Sequence, residues 1–389
     1  MQSSNSFLPF ALPYVDEQEE QAVLEVLRSG WLTTGPKVRQ FEQAFCEYTG
    51  AQHAVAVNSC TAALHLVLEA WGIGEGDEVI TTPLTFCATI EAIEYVRATP
   101  VLADIDPNTG NVAPNQVERA LTPRTRAVIP VHYGGLPCDM QELQTLAKGH
   151  TLKILEDSAH AIGAEYRGRK IGTIGDATAF SFYANKNLTT GEGGMITTND
   201  AALADRCRVL SLHGISRDAW KRYTATGSWY YEVEMLGFKY NLTDLQAAIG
   251  IVQLSKLDAM NQRRQQIAAL YRQAFSEMDF VQPFPLTLPD DRTHVWHLFT
   301  ILLNLERLTI DRARFIEALR ERQIGVSVHY IPIHYHPHYR RYGWRKGQFP
   351  HTEAYYERTI SLPIYPGMSD ADVARVIEAV HDVGRTYRR

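Results

Sequence analysis

The stretch ATAFSFYANKNLTTGEGGMITTN, residues 177–199, sets a lone lysine, Lys186, between two β-branched runs and follows it with Gly191, Gly193 and Gly194. Runs of this kind recur upstream: AVAVNS (54–59), EVITTPLTF (78–86), TPVLADID (99–106), RAVIPVHY (126–133) and LKILED (152–157) precede ATAFSFY (177–183) and MITTN (195–199). Helical patterns separate them. Strands alternating with helices predict an α/β fold whose mostly parallel sheet is covered on both faces. In such sheets ligands bind beyond the carboxyl ends of the strands, and Lys186 lies just past one of those ends.

With 389 residues, 45% of them hydrophobic, the chain can bury one large core and a smaller second one, because single cores stop growing near ~250 residues. The pattern NLTDLQAAIGIVQLSKLDAMNQRRQQIAALYRQAF (241–275) predicts a long helix capped by Asn241 or Thr243. It links an expected large unit over 1–255 to a smaller α/β unit over 256–389. In the latter, HVWHLFTILL (294–303), DRARFIEALRERQ (311–323), VSVHYIPI (326–333) and a helix at DADVARVIEAVHDVG (370–384) are expected.

A net charge of -6 offers no uniform field for nucleic acid or an acidic membrane surface. Five widely spaced cysteines without a CxxC pair suggest reduced thiols rather than zinc or a redox dithiol. The N-terminal MQSSNSFLPFALPYVDEQEE lacks the pattern of a secretory signal, and no run approaches the ~20 apolar residues needed to span a bilayer. A soluble cytoplasmic protein is expected.

Several strand ends carry residues with chemical options. Cys60-Thr61-Ala62 opens a helix whose free N–H groups suit a phosphate, although a plain cap by Ser59 or Thr61 explains them as well. Phe86 is a platform for a ring or a core aromatic. Asp157, followed by His160, is a partner for a buried cation or a cap. Ser181 and Lys186 come next. The glycines do not match G-x-G-x-x-G and precede a strand, no GxxxxGK[ST] is present, and no G-x-S-x-G elbow occurs. His334, His336 and His338 alternate, but Pro337 interrupts them and no carboxylate sits at ligand spacing; a loop covering the substrate is the preferred reading, and no metal is expected. A phosphate cup, an aromatic platform, a buried carboxylate and an imine-forming lysine together are what pyridoxal 5'-phosphate requires.

NSCTAAL (58–64), EDSAHA (156–161), SFYANKNLTTGEGGM (181–195) and FKYNLTDLQAAIG (238–250) resemble the DegT/DnrJ/EryC1/StrS family of sugar aminotransferases, which have the aspartate-aminotransferase fold (fold type I). The similarity runs from GWLTTGP (30–36) to SLPIYPGMS (361–369). The resemblance implies that Lys186 forms the imine to the cofactor and Asp157 keeps the pyridine nitrogen protonated. It implies that Phe86 stacks on the ring, that His160 lies beside it, and that Thr61, Ala62 and Ser181 hold the phosphate with Asn241 from a second subunit. A homodimer with shared sites follows. Cys60 stands where family members often have glycine.

By the same resemblance the amino donor is L-glutamate and the acceptor a nucleotide-linked keto sugar. A dehydratase branch carries histidine at the lysine position, so Lys186 favours amino transfer. GWLTTGP and VHYIPIHYHPHYRRYGWRK (328–346) look most like the enzymes that aminate C4 of UDP-linked sugars, with Thr33, His213, Arg217, His329 and Tyr330 as candidate substrate contacts. C3 amination of a dTDP-linked sugar is the nearest alternative. A non-catalytic sugar-nucleotide sensor need keep neither Lys186 nor Asp157, and a nicotinamide enzyme would want the missing glycine fingerprint.

Overall fold

In a computed structural model, which describes residues 6–215 and 230–389, the β-branched runs of the first half form one seven-stranded sheet. Helices α1 (Glu17–Ser29) and α2 (Pro36–Thr49) lead into β1 (His53–Val57). Next come α3 (Cys60–Ala70), β2 (Glu78–Thr81), α4 (Cys87–Tyr95), β3 (Thr99–Leu102), α5 (Pro114–Ala120), β4 (Thr125–Val128), α6 (Met140–His150) and β5 (Lys153–Asp157). After a short ribbon of β6 (Glu165–Tyr166) and β7 (Arg169–Lys170), β8 (Ala177–Ser181) and β9 (Gly194–Thr198) complete the sheet, and α7 (Ala201–Leu210) follows. The strand order is β1-β9-β8-β5-β4-β2-β3. All neighbours pair in parallel except β9, which is antiparallel to both β1 and β8.

The strands bury nearly all of their residues because both faces of the sheet are covered. In β1, Ala54 and Ala56 join the core that holds Phe41, Phe45, Phe180 and Phe182, whereas Val55 and Val57 pack with Leu64, Val67 and Ile93 on the other face. Successive side chains point to opposite faces, so alternate residues of one strand enter two different cores.

Helix α8 (Asp244–Phe275) begins at Thr243, which caps it in a box with Gln246. Of the two expected caps, Thr243 takes the role, and Asn241 lies outside the helix. Over 32 residues the helix extends about 48 Å. Its early residues Ala247, Leu254 and Leu257 join the first core. Its later residues Ile267, Ala268, Tyr271 and Phe275 pack in a second core with Phe299, Ile301 and Ile360.

That second core belongs to an antiparallel sheet of β10 (Val281–Phe284), β11 (Phe299–Leu303) and β12 (Thr359–Leu362), with α9 (Arg312–Glu321), α10 (Pro350–Arg358) and α11 (Asp370–Thr386) around it. Leu8 also joins it and bridges to Ile324. The structure differs here from the sequence-based expectation in two ways. HVWHLFTILL is a strand only from Phe299 onward, and VSVHYIPI forms no strand beyond an isolated bridge between Ser327 and Ser361. Pro332 has no N–H to offer a ladder, and His329 and Tyr330 direct their side chains to Ser361 and His160 instead. No helix among the described residues is long and apolar enough to cross a membrane.

Candidate active site

The chain leaves β8 at Ser181 and re-enters the sheet at β9, and the loop between them is pinned at its neck. The Phe182 N–H donates to the Gly193 carbonyl at 2.9 Å, and Thr190 N–H and Thr189 Oγ1 donate back to the Phe182 carbonyl. Gly194 is required by close approach: a Cβ there would lie 2.5 Å from the Ser59 carbonyl carbon and 2.8 Å from the Cys60 nitrogen. The first turn of α3 therefore rests directly on β9. Gly191 has φ +79°, a conformation that glycine adopts without strain.

Within this loop, the Lys186 amine points into a cleft of about 510 Å³ at the carboxyl ends of β1, β2, β5 and β8. His297 Nε2 lies 3.5 Å from the amine. Burial pulls the amine's pKa down to about 8, against the opposing effect of Asp157. A lysine so placed has a substantial neutral fraction near physiological pH, as a nucleophile or proton carrier must.

Asp157 ends β5 and is buried. Its Oδ2 accepts from Thr89 Oγ1 at 2.8 Å and its Oδ1 from the Ala159 N–H at 3.1 Å, and Thr89 is in turn 2.7 Å from Thr85 Oγ1. Burial raises the carboxyl's pKa while these two donors and the nearby Lys186 oppose the rise. At the start of α3 the Ser59 hydroxyl accepts the Ala62 N–H at 3.0 Å. The N–H groups of Cys60 and Thr61 remain for the cleft, at the positive end of the helix. The Cys60 thiol is held well above its ordinary pKa by burial and by Asp157, so it stays protonated. Phe86, at the start of α4, is 58% exposed, and its open face lines the cleft.

His160 is fixed from both sides. Its Nδ1 accepts from the Gly134 N–H at 3.2 Å, and its Nε2 lies 2.9 Å from the Tyr330 hydroxyl. His329 meets Ser361 Oγ at 2.8 Å through Nδ1. Burial, then the Lys186 charge, pushes His329 down to about 3, and the same causes keep His160 well below its usual value. Both rings are neutral.

The structure sorts the expected site residues into two groups. Thr61, Phe86, Asp157, His160, Ser181, Lys186, His329 and Tyr330 line one cleft. Ala62 lies behind it, 3% exposed, with its N–H taken by Ser59. Thr33, His213 and Asn241 are not among the residues that line the cleft. Asn241 Nδ2 donates to Thr34 Oγ1 at 2.8 Å, the Asp244 N–H to the Thr33 carbonyl at 3.1 Å, and the His213 N–H to the Phe238 carbonyl at 2.7 Å. Arg217 lies outside the described residues. His334 and His338 turn to different carboxylates, Glu353 at 3.0 Å and Glu94 at 3.1 Å.

Thr89, Asn185 and His297 were not legible as site residues. Thr89 had a faint signal, falling one helical turn after Thr85. Asn185 and His297 had none: the Asn185 side chain is set apart only by its burial at the cleft wall, and His297 by a contact 111 residues away in sequence.

The cleft fits pyridoxal 5'-phosphate. Phe86 offers an uncovered aromatic face, two helix N–H groups and the Thr61 and Ser181 hydroxyls suit a phosphate, and Asn185 Oδ1 is a buried acceptor at the cleft wall without a partner among the described residues. Comparisons with known proteins agree. The DegT/DnrJ/EryC1/StrS aminotransferase family matches residues 13–381. The spore coat polysaccharide biosynthesis protein SpsC of Bacillus subtilis is 55% identical over 386 residues, 98% of each chain. The Streptococcus pneumoniae protein Spr1654, named a sugar aminotransferase, has been solved in PMP, PLP and apo forms. Its PMP form superimposes with a TM-score of 0.91 at 33% identity, covering 97% of this chain and 99% of that one. Helicobacter pylori PseC, an aminotransferase involved in the biosynthesis of pseudoaminic acid, gives a TM-score of 0.91 at 31% identity over 98% of this chain and 100% of its own.

Proposed function

We propose, for a chain that belongs to the DegT/DnrJ/EryC1/StrS aminotransferase family, that it moves the amino group of L-glutamate onto the keto carbon C4 of a UDP-linked keto-deoxysugar. The product is an amino sugar for a surface glycan, made in the cytoplasm. The chain is a pyridoxal 5'-phosphate-dependent sugar aminotransferase of fold type I. The observation that carries the reading is the Lys186 amine, free of any carboxylate hydrogen bond among the described residues and sharing one cleft with Asp157 and the open end of α3. The acceptor is supported by the likeness to PseC and SpsC and by the segments 30–36 and 328–346.

Bound pyridoxal 5'-phosphate supplies an electron sink beside the carbon that gains or loses the amino group. The rest is the work of the chain. The Cys60 and Thr61 N–H groups and the Thr61 and Ser181 hydroxyls bind the phosphate. Phe86 covers one face of the ring. Asp157 holds a proton at the pyridine nitrogen, and its two donors, Thr89 and Ala159, favour its carboxylate form against the effect of burial. Lys186 Nζ removes the Cα proton of glutamate and later returns a proton at the sugar carbon, so it must pass through its neutral form. His160, held by Gly134 and Tyr330, stays neutral and fixed beside the ring.

Two copies share their sites in this reading. Thr33, His213 and Asn241, which do not line their own chain's cleft, face the partner's cofactor and sugar nucleotide. The units 1–255 and 256–389 frame each cleft.

The test is the visible spectrum of the purified protein with added cofactor, before and after L-glutamate, followed by a panel of keto-sugar nucleotides. A cofactor band that glutamate converts to the PMP form, and turnover of UDP-linked 4-keto sugars, is the expected result. Turnover confined to dTDP-linked 3-keto sugars would move the amination to C3, and a band indifferent to every amino donor would refute the reaction.

A further inference from the structure

Two imidazoles stand beside the Lys186 amine, and their hydrogen bonds set opposite tautomers. His160 and His297 lie with ring centroids 4.4 Å apart. His160 Nδ1 accepts a backbone N–H, so the neutral ring carries its proton on Nε2 and donates it to the Tyr330 oxygen.

At His297 the order reverses. The Asn187 amide nitrogen donates to the Val295 carbonyl at 2.9 Å and to Asn261 Oδ1 at 2.8 Å, while Asn261 Nδ2 itself donates to the Ile162 carbonyl at 3.2 Å. Backbone carbonyls only accept, so both amides are oriented, and Asn187 Oδ1 faces His297 Nδ1 at 3.2 Å. Nδ1 must then hold the proton. Nε2 is left with a bare lone pair directed at the Lys186 amine, 3.5 Å away.

The histidine is held firmly. Arg264, 2% exposed, donates from Nη1 to the carbonyls of Trp296, His297 and Ile364 at 3.2, 3.5 and 2.7 Å. Burial keeps His297 well below its ordinary pKa, and Lys186, His160, Arg264 and His329 add to that. The groups that bear on Lys186 itself are Asp157, which favours its ammonium form, the protonated Cys60 thiol, and the neutral rings of His160, His297 and His329.

We propose that His297 is a positioning residue for amino transfer: its unprotonated Nε2 accepts a hydrogen bond from Lys186 Nζ and so orients the lone pair of that amine toward the substrate. The proposal rests on the reading of Lys186 as the proton-carrying lysine. A free amine on a four-carbon stem rotates about its last bond, and one fixed acceptor removes that freedom. Because the acceptor ring stays neutral, it neither gives Lys186 a proton nor keeps the one it takes from substrate. Asn187, the residue after Lys186, sets the tautomer, so the dipeptide carries both the amine and the means of aiming it.

The test uses cofactor-free full-length protein, so its failure is distinct from failure of the reaction assignment. Nitrogen NMR of histidine-labelled protein at neutral pH is expected to show a neutral ring protonated at Nδ1 that disappears in H297Q, alongside a ring protonated at Nε2 for His160. A His297 protonated at Nε2, or charged, would overturn the proposal. The pH dependence of Lys186 acylation, read by peptide mass mapping, gives a second arm. H297F should lower the midpoint below that of the wild type, because a neutral acceptor favours the ammonium form, whereas H297Q, whose amide oxygen can replace Nε2, should keep it. In the loaded enzyme H297F should lose about tenfold in kcat with little change in KM for glutamate, with H297Q closer to wild type. Equal midpoints in H297F and wild type would count against the acceptor role.

Discussion

Lys256 and Lys186 are both drawn away from water, one in the seam between α8 and α1 and the other in the cleft beyond β8, but different groups meet their amines. Lys256 Nζ lies 2.7 Å from Asp16 and 2.8 Å from Glu19. Burial pulls its pKa down, yet the hydrogen bonds to those carboxylates outweigh it and hold the ammonium above its ordinary value. Lys186 meets a neutral imidazole instead, burial prevails, and its pKa falls to about 8. Desolvation therefore yields a structural cation where hydrogen-bonded anions accompany it and a reactive amine where they do not.

The sharpest way to break this contrast is K186A, which should cut turnover by at least about 10³-fold, since the residue serves as both nucleophile and proton carrier. The circular dichroism and melting transition should be unchanged. Next is D157N, expected to cost about 10²-fold in kcat through a poorer electron sink. It should also move the Lys186 midpoint in cofactor-free protein further below about 8, because the Asp157 charge is one of the influences that raise it. T89V removes one of the two donors to Asp157 and should cost about tenfold in kcat, the worth of a single hydrogen bond to a charged group. K256M should leave turnover near wild type. Its effect is on the fold: Glu19, 2% exposed, loses its cation but keeps Gln253 as a donor, for a loss of about 2 kcal/mol in denaturant unfolding.

How much of this could be read from the sequence follows from how local each feature is. The large sheet was legible because its strands, buried on both faces, are short runs of small, β-branched and apolar residues separated by helical patterns, as HAVAV in β1 and ATAFS in β8. The smaller sheet was not. Strand β10 is VQPF, interrupted by Pro283, and β12 spans four residues, Thr359–Leu362, so neither shows a period. VSVHYIPI carries a strand-like pattern, but its bulky residues serve the cleft rather than a ladder.

In the site, Lys186, Asp157 and Phe86 stood out because each follows a predicted strand. His297 could not stand out, since its meaning depends on Lys186, 111 residues away, and on an amide orientation set by the Val295 carbonyl. The alternating His334, His336 and His338 show the converse. A regular spacing drew attention, and the side chains of His334 and His338 pair with Glu353 and Glu94 at separate places.

The most direct test of the central claim is to reduce the protein with borohydride in the presence of pyridoxal 5'-phosphate and map the attachment by peptide mass spectrometry. The account predicts that the cofactor's mass appears on the peptide containing Lys186 and is lost in K186A. Attachment at another lysine, or full attachment in K186A, would contradict it.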